Sequence, residues 1–467
     1  VGGESLSGGE CTEVIDKSQY HEGALVGSYA KASAQQLQRA ADAASNDPDG
    51  WRKLSTAERG KILMAAANEV RRSRDDLIGI AAAEVGKVFT ETDVEVSEAI
   101  DFLNFYPYSV AQLESLEGVR VSPKGVGLVV SPWNFPVAIP AGGITAALAA
   151  GNTVILKPAS AAVLSAYRLC ECYWAAGVGK NTLQFVPCDG ALAGRELIPN
   201  RLIDFVIFTG GESTAYAMIK SRPDIHLSAE TGGKDATIVT AMADRDQALA
   251  NALASAFNNS GQKCSATSLL VLEREVYEDE GFKAMLLDAA ASLETGSVWA
   301  CENKIGSLVD RPAGKLAHAL EHLDKGESWL LPPAYADNDN PYMLRPAIRW
   351  GTKRGDYCHA NELFGPVLSV ICAEDLDGDG TFEIVARTLA ALGREHPEAA
   401  VRLAAELEVP AQLVLVAAVV VAPVRGNVRH AERAPHHVGE VAGVPALEAE
   451  RQTEIGRQLV AHAGSLN

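Results

Sequence analysis

The sequence predicts an α/β protein built on a parallel sheet with helices on both faces. Three observations carry this. Short β-branched runs end at Gly or Pro: "GVGLVVSP", "NTVILKP", "TLQFVPC", "DFVIFTG" and "DATIVTA". Helical patterns such as "SAAVLSAYRLCECYWAAGV" separate several of them, and strand–helix–strand alternation at this spacing favours a parallel, doubly covered sheet. The 467 residues, 47% of them apolar, are enough for two or three domains with large cores. In such sheets ligands bind beyond the carboxyl ends of the strands, so the segments just after these runs are the candidate binding loops.

The elements follow in chain order. Residues 1–30 are rich in Gly, Ser and charge, carry little periodicity and read as an irregular arm. From Ala34 to about Leu113 apolar residues recur at three and four positions, as in "DDLIGIAAAEV" and "DVEVSEAIDFLNFY", which predicts helices. The strand runs then alternate with helices. "DRDQALANALASAFNNSG" is a helix leading to Cys264, and "SLLVLERE" resumes a strand. "DAAASLETGSVW" and "KLAHALEHLDKG" read as further helices, and "NELFGPVLSVICAEDL" as a loop, a strand and a turn.

A formal charge of −19, with no basic stripe to offset it, argues against a nucleic-acid partner. No segment reads as a signal peptide or a spanning helix; the apolar run "QLVLVAAVVVAPV" is too short and ends at Pro423. Cys170 and Cys172 have the spacing of neither a zinc knuckle nor a redox pair, so no metal site is read. Eight cysteines without a paired framework suggest reduced thiols in a cytoplasmic protein.

Four stretches carry chemistry. In "NNSGQKCSATS", Cys264 is either a buried structural thiol or a nucleophile in a loop after a helix. In "HLSAETGGKDATIV", Glu230 lies between a strand-like run and two glycines. It reads either as a solvated or ion-paired side chain, or as a partly desolvated general base. In "SPWNFPVAIP", Asn134 is a turn residue or, held between Trp133 and Phe135, an oxyanion donor. "VILKPAS" and "FTGGESTAYAMIK" each enter a turn and then a helix. Lys157 suits a ribose or phosphate, and Gly210 and Gly211 suit a pyrophosphate, although the third glycine of the dinucleotide fingerprint is absent.

Together these motifs resemble the aldehyde dehydrogenase superfamily. "SPWNFP", "GNTVILKPAS", "FTGGEST", "ETGGK", "SGQKCS" and "ELFGPV" occur in that family's order from about residue 20 to about residue 378, with Cys264 34 positions after Glu230. "AETGGK" and the "CSA" at the nucleophile are similar to the L-glutamate γ-semialdehyde (Δ1-pyrroline-5-carboxylate) dehydrogenases. The nearest resemblance is to the version fused behind a proline dehydrogenase in bifunctional proline utilization A. The resemblance implies a Rossmann-type NAD-binding domain over 31–227, an α/β catalytic domain over 228–380 that is incomplete, and a divergent tail over 381–467.

It also implies roles. Cys264 attacks the aldehyde carbon, and Asn134 with the Cys264 backbone N–H stabilises the oxyanion. Glu230 activates the water that releases glutamate from the thioester. Ser265 touches the semialdehyde. Removing one oxyanion donor would raise the barrier by about 3 kcal/mol. Lys157 and Ser160 map onto the adenosine ribose; Gly190, Gly194, Thr209, Gly210 and Thr214 onto the adenine and pyrophosphate side; Glu362 onto the nicotinamide ribose; and Phe364 onto the ring. The implied cofactor is NAD, and the uncharged Ser160 leaves NADP open as well. A small-molecule aldehyde substrate and a homo-oligomer are implied too. Val1 in first position fits a piece of a fusion to a proline dehydrogenase domain.

The resemblance stops near residue 380. The family's "YGLTSGL" stretch, its Gly-x-Thr-Gly-Ala-Ile-Val substrate loop and its "QPFGG" segment are missing. From Arg387 onward there are eight arginines and no lysine, no Phe, Tyr or Trp follows Phe382, and half the histidines fall in this tail. That texture is expected of a GC-rich gene read out of frame from residues 380–390. The other reading is a divergent helical tail.

Overall fold

Capping and apolar spacing build the helical start. The computed structural model describes residues 1–5 and 11–373. Ser33 and Ser55 each close a capping box, with Gln36 and Glu58, at the starts of α1 (Ala34–Asn46) and α2 (Thr56–Arg72). α3 (Arg74–Val85) and α4 (Phe89–Glu114) follow. On α1, Leu37, Ala40, Ala41 and Ala44 form one buried stripe.

The expected irregular arm is corrected by the structure. β1 (Cys11–Ile15) and β2 (Leu25–Ala30) pair antiparallel around a 3-10 turn capped by Asp16. Only Val14 of the two strands is buried, so no alternating apolar signal marks them. Distant polar partners dock the ribbon instead: Tyr29 Oη donates to the Ser160 carbonyl at 3.2 Å, and Trp299 Nε1 to Asp16 Oδ2 at 2.6 Å.

The first sheet contains β3 (Val126–Val130), β4 (Thr153–Lys157), β5 (Leu183–Phe185), β6 (Phe205–Gly210) and β7 (His226–Thr231), all parallel, in the order β5-β4-β3-β6-β7. The order reverses between β3 and β6, the point at which doubly wound sheets open a crevice. α5 (Ala138–Ala149), α6 (Val163–Ala175), α7 (Gly190–Glu196) and α8 (Glu212–Ser221) connect the strands. One core, including Leu63, Leu103, Ile144 and Tyr173, covers one face; a second, including Leu37, Leu197 and Met218, covers the other.

The second sheet contains β8 (Asp235–Val239), β9 (Thr267–Leu272), β10 (Ser328–Leu331), β11 (Ala347–Trp350) and β12 (Val367–Cys372), in the order β10-β11-β12-β9-β8. Only the β10–β11 pair is antiparallel. Its helices are α9 (Arg245–Phe257), α10 (Arg274–Tyr277), α11 (Glu280–Ala291), α12 (Gly314–Glu321) and α13 (Tyr357–Ala360), over a core that includes Phe257, Leu270, Phe282 and Leu368.

Two further expectations change. The "DATIV" run joins the second sheet, and the strand bearing Glu230 belongs to the first: Glu230 pairs with Thr209, so the passage between sheets comes at 232–234, past the expected boundary at 227. The helix read over "DAAASLETGSVW" stops at Ala291, and Thr295 forms a parallel bridge with Ile305. Gly296 packs where a Cβ would lie 2.5 Å from Asn303 Nδ2, a close approach that spacing does not reveal. The end of the 228–380 segment and the whole 381–467 tail lie outside the described residues.

Candidate active site

The nucleophile turn begins where α9 ends. Asn259, Ser260 and Gly261 have φ values of 53°, 56° and 67°, three left-handed residues in succession. Left-handed backbone costs a non-Gly residue roughly 1–2 kcal/mol. Gly261 has a second reason to be glycine, since a Cβ there would lie 2.3 Å from the Gly365 carbonyl oxygen. Buried hydrogen bonds hold the turn. The Asn259 N–H donates to Glu91 Oε1 at 2.8 Å, and Ser260 Oγ to the Gly306 carbonyl at 2.9 Å. Gln262 Nε2 donates to the Asn259 carbonyl at 3.1 Å, and Gln262 Oε1 accepts from the Val309 N–H at 3.0 Å.

The chain then delivers Cys264, half-buried, ahead of β9, with Ser265 exposed beside it. Burial pushes the Cys264 thiol above its ordinary value. The negative charges of Asp235, Glu362 and Glu230 push it the same way, and its own backbone N–H works against them. The sulfur therefore shares a local field with both sequence-predicted carboxylates, and with Asp235, which sequence reasoning did not single out.

Asn134 is buried in the loop after β3, and its Nδ2 donates to the Gln262 carbonyl at 3.0 Å. The oxyanion candidate is thereby tied to the nucleophile turn across the interval between the sheets. The loop rests on a buried ion pair absent from the sequence reading: Lys87 Nζ lies 2.6 Å from Glu95 Oε2, with both side chains 1% exposed. The signal was present, because Glu95 falls on the apolar stripe of α4 with Val96, Ala99 and Leu103, where an unpaired carboxylate would be costly.

Glu362 is half-buried, and burial raises its pKa while a backbone hydrogen bond from Gly233 lowers it. Its Oε1 is buried without a protein partner. A Cβ on Gly232 would fall 2.1 Å from Glu362 Oε2, so the double glycine of "ETGGK" is a seat for this carboxylate. Phe364 has φ 54° and packs edge-on against Trp133, with centroids 5.7 Å apart. Lys234 is pushed down to about 8 by burial, with Cys358 and Glu362 opposing, and its Nζ donates to the Ser268 carbonyl at 3.1 Å.

Glu230, read either as a solvated or ion-paired side chain or as a partly desolvated base, is exposed among the described residues. Among the described residues β7 is the edge strand of its sheet and pairs only with β6. The carboxylates of Asp324, Glu327 and Asp356 also lie together, but each accepts from a protein donor: the Tyr357 N–H, Arg349 and the Lys353 N–H respectively.

The other predicted residues gather at the carboxyl ends of the first sheet. Lys157 ends β4, buried, and burial lowers its pKa while Cys188 and Asp189 raise it. Ser160 is exposed, and its carbonyl is held by Tyr29. Thr209 and Gly210 end β6, and Thr214 lies exposed on α8. Gly190 and Gly194 face open space, so a ligand can approach that backbone closely. Open glycines, a buried lysine and an orphaned Glu362 oxygen fit a nicotinamide dinucleotide, whose ribose hydroxyls donate hydrogen bonds.

Known proteins resemble this chain in sequence and fold. The aldehyde dehydrogenase family pattern matches residues 7–384. The 1-pyrroline-5-carboxylate dehydrogenase of Bacillus cytotoxicus is 31% identical over 395 residues, covering 81% of this chain and 76% of that protein. Among solved structures, the 1-pyrroline-5-carboxylate dehydrogenase from Thermus with bound NAD is 30% identical, with a TM-score of 0.74 over 83% of this chain and 76% of its own. Proline utilization A from Corynebacterium freiburgense is 38% identical, with a TM-score of 0.69 over 74% of this chain; this chain spans 35% of that one. With the family pattern running from residue 7 to residue 384 and a relative 31% identical over 81% of the chain, this chain belongs to the aldehyde dehydrogenase family.

Proposed function

We propose that this chain oxidises L-glutamate γ-semialdehyde, the open form of 1-pyrroline-5-carboxylate, to L-glutamate with NAD. The observation that supports the reading is the Asn134–Gln262 hydrogen bond two residues before Cys264, beside a thiol that feels the charges of Glu362 and Glu230.

Cys264 attacks the aldehyde carbon once its thiol has lost a proton. The resulting oxyanion takes a hydrogen bond from the Asn134 amide, of whose two N–H donors one is used on Gln262. The Cys264 backbone N–H is the second donor. NAD, when bound, would supply the hydride acceptor needed for oxidation at the carbon held on Cys264. Lys157, Ser160, Gly190, Gly194, Thr209, Gly210 and Thr214 would hold its adenosine and pyrophosphate side. Glu362 would take the nicotinamide ribose on its orphaned oxygen, and Phe364 would pack on the ring. Glu230, open to solvent, takes a proton from the water that attacks the thioester, and Ser265 contacts the substrate.

The finer statements belong to the same proposal. NAD is preferred over NADP; the chain acts as a homo-oligomer in the cytoplasm, and its lineage includes a fusion to a proline dehydrogenase domain. No helix among the described residues is long and apolar enough to cross a membrane. The 381–467 tail, lacking the family's substrate loop, supports a second reading: a catalytically impaired NAD-binding member whose frame shifted near residues 380–390. The encoding DNA decides the frame, since a shift there must restore "YGLTSGL" and "QPFGG".

The test is NADH formation by the purified chain with the semialdehyde, beside Cys264→Ser. Loss to background in the variant supports the enzyme reading, and equal traces from both chains support the impaired one. A panel of aldehydes fixes the substrate.

A further inference from the structure

We propose that Lys87, just before α4, and Glu91 and Glu95, at its start, are positioning residues that set the Cys264 turn in register with the Asn134 amide. The inference rests on the dehydrogenase reading above. Glu91 and Glu95 lie one turn apart, so they share a face of α4.

Each holds one half of the reacting constellation. Glu95 Oε1 accepts from the Val137 and Ala138 N–H groups at 2.7 and 3.0 Å, and Oε2 is bound to Lys87. Lys87 Nζ also donates to the Asn134 carbonyl at 3.2 Å and sits 3.9 Å from the centroid of the Phe135 ring. Residues 134–138 are thus clamped through one ion pair. Glu91 Oε1 accepts from the Asn259 N–H at 2.8 Å, and Oε2 lies 3.5 Å from Lys263 Nζ, next to the nucleophile.

A well-packed apolar pair usually stabilises a core as well as a buried ion pair does. An apolar pair could not accept two backbone N–H groups and hold the Asn134 carbonyl at once. The rigid rise of a helix then makes the separation of the two carboxylates a fixed spacer between loops that lie 128 positions apart in the chain.

The test compares the full-length chain with a charge-neutral double variant, Lys87→Met with Glu95→Gln, and with Glu95→Asp, which keeps the charge on a shorter arm. Three quantities are read: kcat with the semialdehyde, the rate of Cys264 alkylation by iodoacetamide, and amide exchange over residues 131–138. Alkylation needs the thiol but no oxyanion donor. The double variant is expected to lose about 10- to 100-fold in kcat, Glu95→Asp less, with alkylation within about twofold of the parent and faster exchange over 131–138. A kcat within about twofold of the parent, or alkylation falling in step with kcat, overturns the proposal. Should the parent chain form no NADH, the dehydrogenase reading fails, and exchange then decides this inference: unchanged exchange over 131–138 in both variants overturns it, and faster exchange confined there supports it. If the double variant does not fold, Glu95→Asp carries the same readouts and the same outcomes.

Discussion

Cys264 has a raised thiol pKa, because burial and three carboxylates all disfavour the thiolate. The thiolate is therefore disfavoured, and alkylation of Cys264 is expected to speed up as pH rises. Asp235 has the strongest effect of the three carboxylates on that thiol. Neutralising it as Asp235→Asn removes a repulsion felt only by the thiolate, so the thiol pKa must fall. Iodoacetamide alkylation near neutral pH is expected to run severalfold faster, with its pH midpoint shifted down; an unchanged or higher midpoint would contradict the assignment. Cys264, Asn134 and Glu362 were legible from the sequence because each sits in a short motif whose neighbours constrain it. Asp235 was not, because its proximity to the sulfur arises from two different strands and a turn.

The loops that meet at the site interlock through glycine. Gly232 seats the Glu362 carboxylate, and Gly261 admits the Gly365 carbonyl. In Gly232→Ala the clash falls on the end of a flexible side chain, so the carboxylate moves and the fold survives. The expected result is an unfolding free energy within about 1 kcal/mol of the parent, because only the end of the Glu362 side chain has to shift. NAD affinity should fall about tenfold or more, the worth of one displaced charged hydrogen bond. Denaturant melts and a binding titration check both; equal affinity would remove Glu362 from the cofactor site. The helices α1 to α4 could be read from period alone, since their buried stripes are mostly Leu, Val and Ala. The β1–β2 ribbon could not, since hydrogen bonds to residues more than a hundred positions away hold it in place of a buried face.

The first sheet presents the proposed dinucleotide loops at its switch point, and the second carries Cys264 ahead of β9. A ligand bound only by the folded chain stabilises it by mass action, so NAD at a hundred times its Kd should raise the unfolding free energy by about 2.7 kcal/mol. NADP at the same concentration should raise it less, and an equal or greater rise would reverse the proposed preference. Thermal or urea melts in the presence of each nucleotide provide the measurement.

The order of motifs, the helical start, the strand runs and the candidate nucleophile were determined by the sequence alone, because each is written in residues close together in the chain. The tertiary structure alone decided which sheet carries Glu230, the exposure of that carboxylate, the left-handed turn before Cys264 and the acidic ruler on α4. These depend on contacts such as Glu91 to Asn259, 168 positions apart, and local propensity carries no information about partners at that distance.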